Sequence, residues 1–167
     1  LLILFIVINN VAVPAQEKKV LFDHIDIQDG LSQSSVYAIC QDHKGFMWFG
    51  TAEGLNRYDG NEFKIYKANL LDSTTIQDSW ITVLYEDSDS VLWIGTHDGG
   101  LARFDRENDE FIRYMHVEDD QSTISDNNIF AITESKNHTL WIATNYGLSR
   151  FDKKTETFRR YRNNPDN

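Results

Sequence analysis

Short apolar stretches alternate with polar turns along the chain, and beyond residue 30 they recur in sets of four. The first stretch of each set runs Val36 to Ile39, Ile81 to Tyr85 or Ile129 to Ile132, introduced by the polar runs SQSS, QDS and SDNN. The second carries Trp48, Trp93 or Trp141, and the third ends at Tyr58, Phe104 or Phe151. The fourth reads FKIY, FIRY or FRRY from Phe63, Phe111 and Phe158. Stretches of about four to six residues between turn residues predict strands, and no apolar stripe of 3.6-residue period runs long enough for a helix. The pattern predicts an all-β chain.

The tryptophans fall 45 and 48 residues apart, the period at which four short antiparallel strands make one blade of a β-propeller. The expected architecture is therefore three four-stranded blades, at about 30–70, 71–119 and 120–163, with 164–167 starting a link to a further blade. A closed propeller takes about four to eight blades, so three belong to a larger ring. Alone they leave two apolar faces uncovered and are expected to be marginally stable or to self-associate.

The turns fit that count. Asp42-His43-Lys44-Gly45 and Asp87-Ser88-Asp89-Ser90 connect first and second strands, and Asp59-Gly60-Asn61 and Glu107-Asn108-Asp109 connect third and fourth. Gly54, Gly100 and Gly147 stand before the third strand, where a positive φ is easiest for glycine. Arg57, Arg103 and Arg150 precede aromatic-aspartate pairs ending at Asp59, Asp105 and Asp152. Each arginine is expected to stack on a fourth-strand aromatic or to hold an aspartate between blades, rather than to bind an anion. Trp48, Trp93 and Trp141 are expected to be blade-to-blade core. Trp80 breaks the repeat, since Ser35 and Asn128 hold its place in the other copies, and is a binding candidate.

Residues 1–15 form an apolar run ending in Val13-Pro14-Ala15, which predicts a signal peptide cut before Gln16 with its start missing upstream; an uncleaved anchor is the alternative. Residues 16–29 form a lead-in segment with a short strand expected within Val20 to Ile27. Val20–Phe22 either closes the ring or lies on the first blade.

A net charge of −10, from 26 acidic and 16 basic side chains, argues against unspecific attraction to nucleic acid or an anionic membrane. Arg159, Arg160 and Arg162 are expected to mark an exposed outer edge. Cys40 is the single cysteine, so no intrachain disulfide forms, and a small buried position in the first strand is expected. His24, His43, His97, His116 and His138 lack metal-helix spacing. Asp87, Asp89 and Glu118-Asp119-Asp120 lack the glycine and closing glutamate of a calcium loop. Nothing fixes Asp119 and Asp120 as a glycosidase pair. No catalytic residue, metal or cofactor is expected.

In a blade of antiparallel strands, the link before strand one and the hairpin between strands two and three share a face. That face collects Trp80, Glu53, His97, Asp98 and Tyr146, with the variable links near 69–79 and 117–128. A sugar would stack on Trp80 or Tyr146 while Glu53, Asp98 or His97 exchanges hydrogen bonds with it.

The block GLSQSSVYAICQDHKGFMWFGTAEGLNRYDG and the fragments LWIGTHDGGLARFD and LWIATNYGLSRFD resemble the repeats of the two-component regulator propeller family, over about residues 30 to 163. The matching positions are the three tryptophans, Gly54, Gly100, Gly147 and the arginine-aromatic-aspartate triplets. The third copy departs with Ala143 where Gly50 and Gly95 stand, and the second inserts Gly99. The resemblance implies the periplasmic sensor region of a hybrid two-component histidine kinase, commonly two seven-bladed propellers, an immunoglobulin-like sandwich, a membrane helix and cytoplasmic kinase and regulator parts. It further implies an oligosaccharide ligand, a homodimer and anchoring to the inner membrane through downstream parts. A secreted propeller enzyme such as a lyase or glycosidase, or a scaffold for protein contacts, are the alternatives.

Overall fold

The computed structural model describes residues 24–162, and every regular element within them is a strand. The first blade holds β1 (Val36–Gln41), β2 (Met47–Thr51), β3 (Gly54–Tyr58) and β4 (Phe63–Tyr66). The second holds β5 (Ile81–Glu86), β6 (Leu92–Thr96), β7 (Leu101–Asp105) and β8 (Glu110–Tyr114). The third holds β9 (Ile129–Glu134), β10 (Leu140–Thr144), β11 (Gly147–Asp152) and β12 (Thr157–Tyr161). Each set forms its own sheet, paired in chain order and antiparallel throughout. The described residues do not close a ring.

The first strands run past the apolar stretches that announce them. Gln41, Glu86 and Glu134 still pair with Met47, Leu92 and Leu140, because a ladder needs backbone groups and not apolar side chains. Ile25–Ile27 corrects an expectation: it is not a strand, and Asp26 begins a turn whose carbonyl accepts from the Asp29 and Leu31 amides. The leader and Val20–Phe22 lie outside the described residues.

Two aromatic cores join the blades. Trp48 and Leu55 of the first, both fully buried, pack on Ile81, Leu92, Ile94 and Phe104 of the second. Trp93 and Leu101 repeat this against Ile129, Leu140, Ile142 and Phe151. Trp48 meets Phe104 edge-on at 5.1 Å and Trp93 meets Phe151 at 5.2 Å, a geometry favoured by the ring quadrupole. Each indole N–H donates to the aspartate opening its own turn, Trp48 to Asp42 at 2.8 Å and Trp93 to Asp87 at 2.9 Å. The third blade has Ser135 at that place, and Trp141 is half-buried beside Tyr161.

Close approach explains the glycine of the second strand. A Cβ on Gly95 would lie 2.4 Å from Val83 Cγ1 and 2.7 Å from Ile129 Cγ2, the latter belonging to the next blade. Gly95→Ala is therefore expected to cost about 1–3 kcal/mol through overpacking, measured as a lowered urea midpoint at unchanged slope. The third-strand glycines have a second reason: Gly100 has φ +76°, and its Cβ would meet the Tyr114 carbonyl at 2.5 Å. Gly54 and Gly147 repeat this at φ +145° and +118°.

A register shift recurs near the start of each innermost strand. It falls between Val36 and Ala38, between Ile81 and Val83, and opposite Ala143 and Thr144. The residue set out of the ladder is Tyr37, Thr82 or Phe130. Such bulges re-aim a side chain.

Candidate functional site

Charged groups tie each blade to the next. Arg106, just after β7, donates to Asp42 of the first blade at 2.8 Å and to Glu86 at 2.9 Å. Glu86 also accepts from the His43 amide at 2.7 Å. Lys153, just after β11, repeats this with Asp87 at 2.8 Å, Asp89 at 2.6 Å and Glu134 at 2.9 Å, while Glu134 accepts from the Ser88 amide at 2.9 Å. The carboxylate oxygens of Asp87, Asp89 and Glu134 lie within 4.8 Å of one another, and the Lys153 ammonium supplies the positive charge among them. Burial pushes the Asp42 carboxyl up, but the Trp48 indole and the Arg106 guanidinium outweigh it and hold the group below its ordinary value.

A second tie uses the repeated arginine. Arg57 reaches Asp109 in the hairpin of the second blade at 3.7 Å, with Lys64 and the Tyr66 hydroxyl on the same carboxylate. Arg103 reaches Glu156 of the third blade at 2.9 Å. Arg57 also lies 4.9 Å over the Phe46 ring, a second-strand flank and not the fourth. Arg150 is exposed. The motif aspartates make turns instead: Asp59 accepts from the Glu62 and Asn61 amides, Asp105 from Asn108 and Glu107, and Asp152 from Lys154 and Thr155. Those hydrogen bonds lower all three carboxyls.

Two arginines hold the links. Arg113 donates to Gln77 at 2.6 Å and to the Thr75 hydroxyl at 3.0 Å, and Arg160 donates to the carbonyls of Thr123 at 2.7 Å and Asp120 at 2.6 Å. Arg160 thus corrects the exposed-edge expectation: it is half-buried under the link, while Arg159 and Arg162 are exposed. Cys40 is half-buried against the first core, and burial raises its thiol. The position of Arg113 and Arg160 in FIRY and FRRY, against Ile65 in FKIY, was the available signal.

On the face formed by links and β2–β3-type hairpins, Asp78 braces two loops. Its carboxylate accepts from the Trp80 amide and the Asp98 amide, each at 3.0 Å. The His97 amide donates to the Trp80 carbonyl at 2.9 Å, and the two rings stack at 4.4 Å, 10° from parallel. Trp80, His97 and Asp98 line one depression of about 530 Å³ with Asp78, Met115 and Asn127. One face of the indole is covered by His97, and Trp80 stays 38% exposed.

The five candidates do not converge. Glu53 lines a neighbouring depression of about 620 Å³ with Gln33 and Lys67, and Tyr146, 63% exposed, sits on the β10–β11 turn. Glu53, Asp98 and Tyr146 occupy the same repeat position in successive blades, which sets each one blade from the next. A residue missed from the sequence is Tyr37, whose ring lies 5.9 Å from Trp80. Its exposure depends on a bulge that residue order does not announce.

Three consecutive four-stranded sheets with tryptophan-centred joints define a stretch of β-propeller. The family model for the two component regulator propeller matches residues 30–53, 75–98 and 123–146, and the chain belongs to that family. It is 34% identical to the extracellular domain of a hybrid two component system from B. thetaiotaomicron, with TM-score 0.78 over 84% of this chain and 20% of that one. Histidine kinase P4 of Formosa agariphila is 48% identical over 66 residues, 40% of this chain and 5% of that protein. Virginiamycin B lyase from Staphylococcus aureus shares the fold alone, with TM-score 0.58 at 16% identity over 82% of this chain and 44% of that one. The chain thus spans about a fifth of the structural relative's length and far less of the curated one's.

Proposed function

We propose that these blades belong to the extracellular or periplasmic ligand-sensing domain of a hybrid two-component regulator. The likeness to an extracellular domain of that kind over 84% of the chain carries the reading. The parent protein continues into further blades, a membrane anchor and a cytoplasmic histidine kinase, acts as a homodimer, and is exported by the leader at residues 1–15. A signal crossing a membrane requires a relative movement that paired subunits can share. Catalysis is not assigned to these residues, because their charged clusters are spent on joints and turns. A propeller fold shared with a lyase does not transfer its chemistry.

The ligand is an oligosaccharide held at the depression of Trp80, His97 and Asp98. An indole edge and face supply apolar area for a pyranose, and the Asp98 carboxylate accepts from its hydroxyls. Trp80→Ala in the complete exported domain is expected to weaken glycan binding about tenfold, ~1.4 kcal/mol, by calorimetric titration. Unchanged affinity would remove Trp80 from the site, and failure of any glycan to bind would remove the oligosaccharide.

A further inference from the structure

The first blade holds a repeat counterpart of the Trp80 depression, and the two differ in charge. Tyr66, Tyr114 and Tyr161 pair with Leu55, Leu101 and Leu148, so the residues that follow them, Lys67, Met115 and Arg162, are equivalent. Gln33 braces the first-blade hairpin as Asp78 braces the second, its side-chain oxygen accepting from the Ala52 amide at 3.2 Å. The first depression is lined by Gln33, Ser35, Glu53 and Lys67, and so holds one carboxylate and one ammonium. The second is lined at the same positions by Asp78, Trp80, Asp98 and Met115, two carboxylates with no lysine or arginine.

The brace does not explain these exchanges, since Gln33 makes it with a neutral amide. Among the described residues neither Asp78 nor Asp98 meets a cation, and Asp78 accepts only from the Trp80 and Asp98 amides. Arg113, the arginine bonded to that link, is spent on the Gln77 amide oxygen, the Thr75 hydroxyl and the Thr75 carbonyl. The span 71–119 carries twelve acidic residues against three arginines, so nearly all of the net charge of −10 belongs to this blade. The wall is apolar as well. Leu70 lines the depression beside Met115 and Trp80, and stands where the next link, closed by the same threonine hydroxyl bond, has Glu118.

We propose that the unit bound in the Trp80 depression carries a protonated amine, which makes the ligand an oligosaccharide of unacetylated amino sugars and excludes acidic ones. This rests on the oligosaccharide reading of the Trp80 site. The ammonium donates to Asp98 and to the acceptor positions that the two amides leave free on Asp78, while the C–H groups of the pyranose lie against Trp80, Met115 and Leu70. Opposite charges attract more strongly once a ligand has displaced water from between them. A uronate or sulfate in the same place would set like charges together, and that repulsion is what separates the sugar classes.

The test is calorimetric titration of the complete exported domain with the trimers of glucosamine, N-acetylglucosamine, glucose (as cellotriose) and galacturonate, under conditions that keep the amine protonated. The glucosamine trimer is expected to bind about tenfold more tightly than its acetylated form or cellotriose, the galacturonate trimer not to bind, and the preference to fall with added salt. Asp98→Asn should bring the glucosamine and N-acetylglucosamine trimers within about threefold of each other. Met115→Lys, which restores the cation of the counterpart depression, should abolish the preference. Unshifted thermal midpoints of both variants exclude misfolding. If Trp80→Ala weakens binding of a neutral or acidic trimer that the glucosamine trimer does not surpass, or if Asp98→Asn and Met115→Lys leave the amine preference intact, the charge inference is overturned and the Trp80 reading stands. If no trimer binds, or Trp80→Ala changes nothing, both are overturned.

Discussion

Trp48→Ala is expected to destabilise the protein by about 3–5 kcal/mol, the range for truncating a fully buried tryptophan. The side chain has no exposed surface, stacks on Tyr66 at 5.9 Å, meets Phe104 of the next blade edge-on, and donates to Asp42 at 2.8 Å. Its loss opens a cavity in the joint and removes a donor from a carboxylate whose side chain is itself buried. Because a domain is stable by only about 5–15 kcal/mol, a marked fall in the urea midpoint is the readout. Trp48→Phe separates the two contributions: it retains most of the ring and loses the indole donor, with an expected cost of about 1–2 kcal/mol. A loss below about 1 kcal/mol for the alanine variant would mean that the joint does not depend on this ring.

Lys153→Met should cost about 3 kcal/mol at neutral pH, near the low end for breaking a buried pair, since Lys153 is 23% exposed. Asp87 and Glu134, with side chains 0% and 7% exposed, then face each other with the cation gone. Burial lowers the Lys153 ammonium, but hydrogen bonds to Asp87, Asp89 and Glu134 outweigh it and raise the group. Burial likewise pushes Glu134 up, and Lys153 and Ser88 bring it below its ordinary 4.5. In the unaltered protein this contribution is complete above that ordinary value and is lost as pH falls through the lower folded value. Stability should therefore hold from neutrality down to about pH 5 and drop below about pH 4. In the variant, burial keeps the Ser88 hydrogen bonds against it but loses the opposing Lys153 ammonium, so the folded value rises, and the deficit should shrink as pH falls from 7 toward 5. Denaturant midpoints across that range check both slopes. A deficit constant with pH would show that the variant acts through packing alone.

Much of the fold was legible because its determinants are local. The tryptophan period, the strand pattern and the turn glycines each constrain a few neighbouring residues, and a repeat prints them three times. The cross-blade roles of Arg57 and Arg103 were legible for the same reason, although residue order did not name the acid each meets, Asp109 for Arg57 and a glutamate, Glu156, for Arg103. The latches of Arg106 and Lys153 were less visible, since their partners stand 64 and 66 residues earlier, at Asp42 and Asp87. The candidate site was gathered by face, and residue order gives no spacing across that face. Glu53 and Tyr146 therefore fell one blade to either side of Asp98. Tyr37 read as an ordinary strand residue until the bulge gave it a direction.

The joints also have a polarity. Each is made by a cation and a glutamate on the later blade meeting an aspartate and a turn amide on the earlier one. The second blade carries both halves, so tandem copies of it would mate with one another. The first carries only the forward half, with Gln41 and Gly60 where the later blades have glutamate and a cation. Alike as sheets, the blades are unlike as connectors: gene duplication of the middle one would lengthen the array without a mismatched seam, whereas transposing the first behind the third would set Gly60 against Ser135 and leave that seam unpaired.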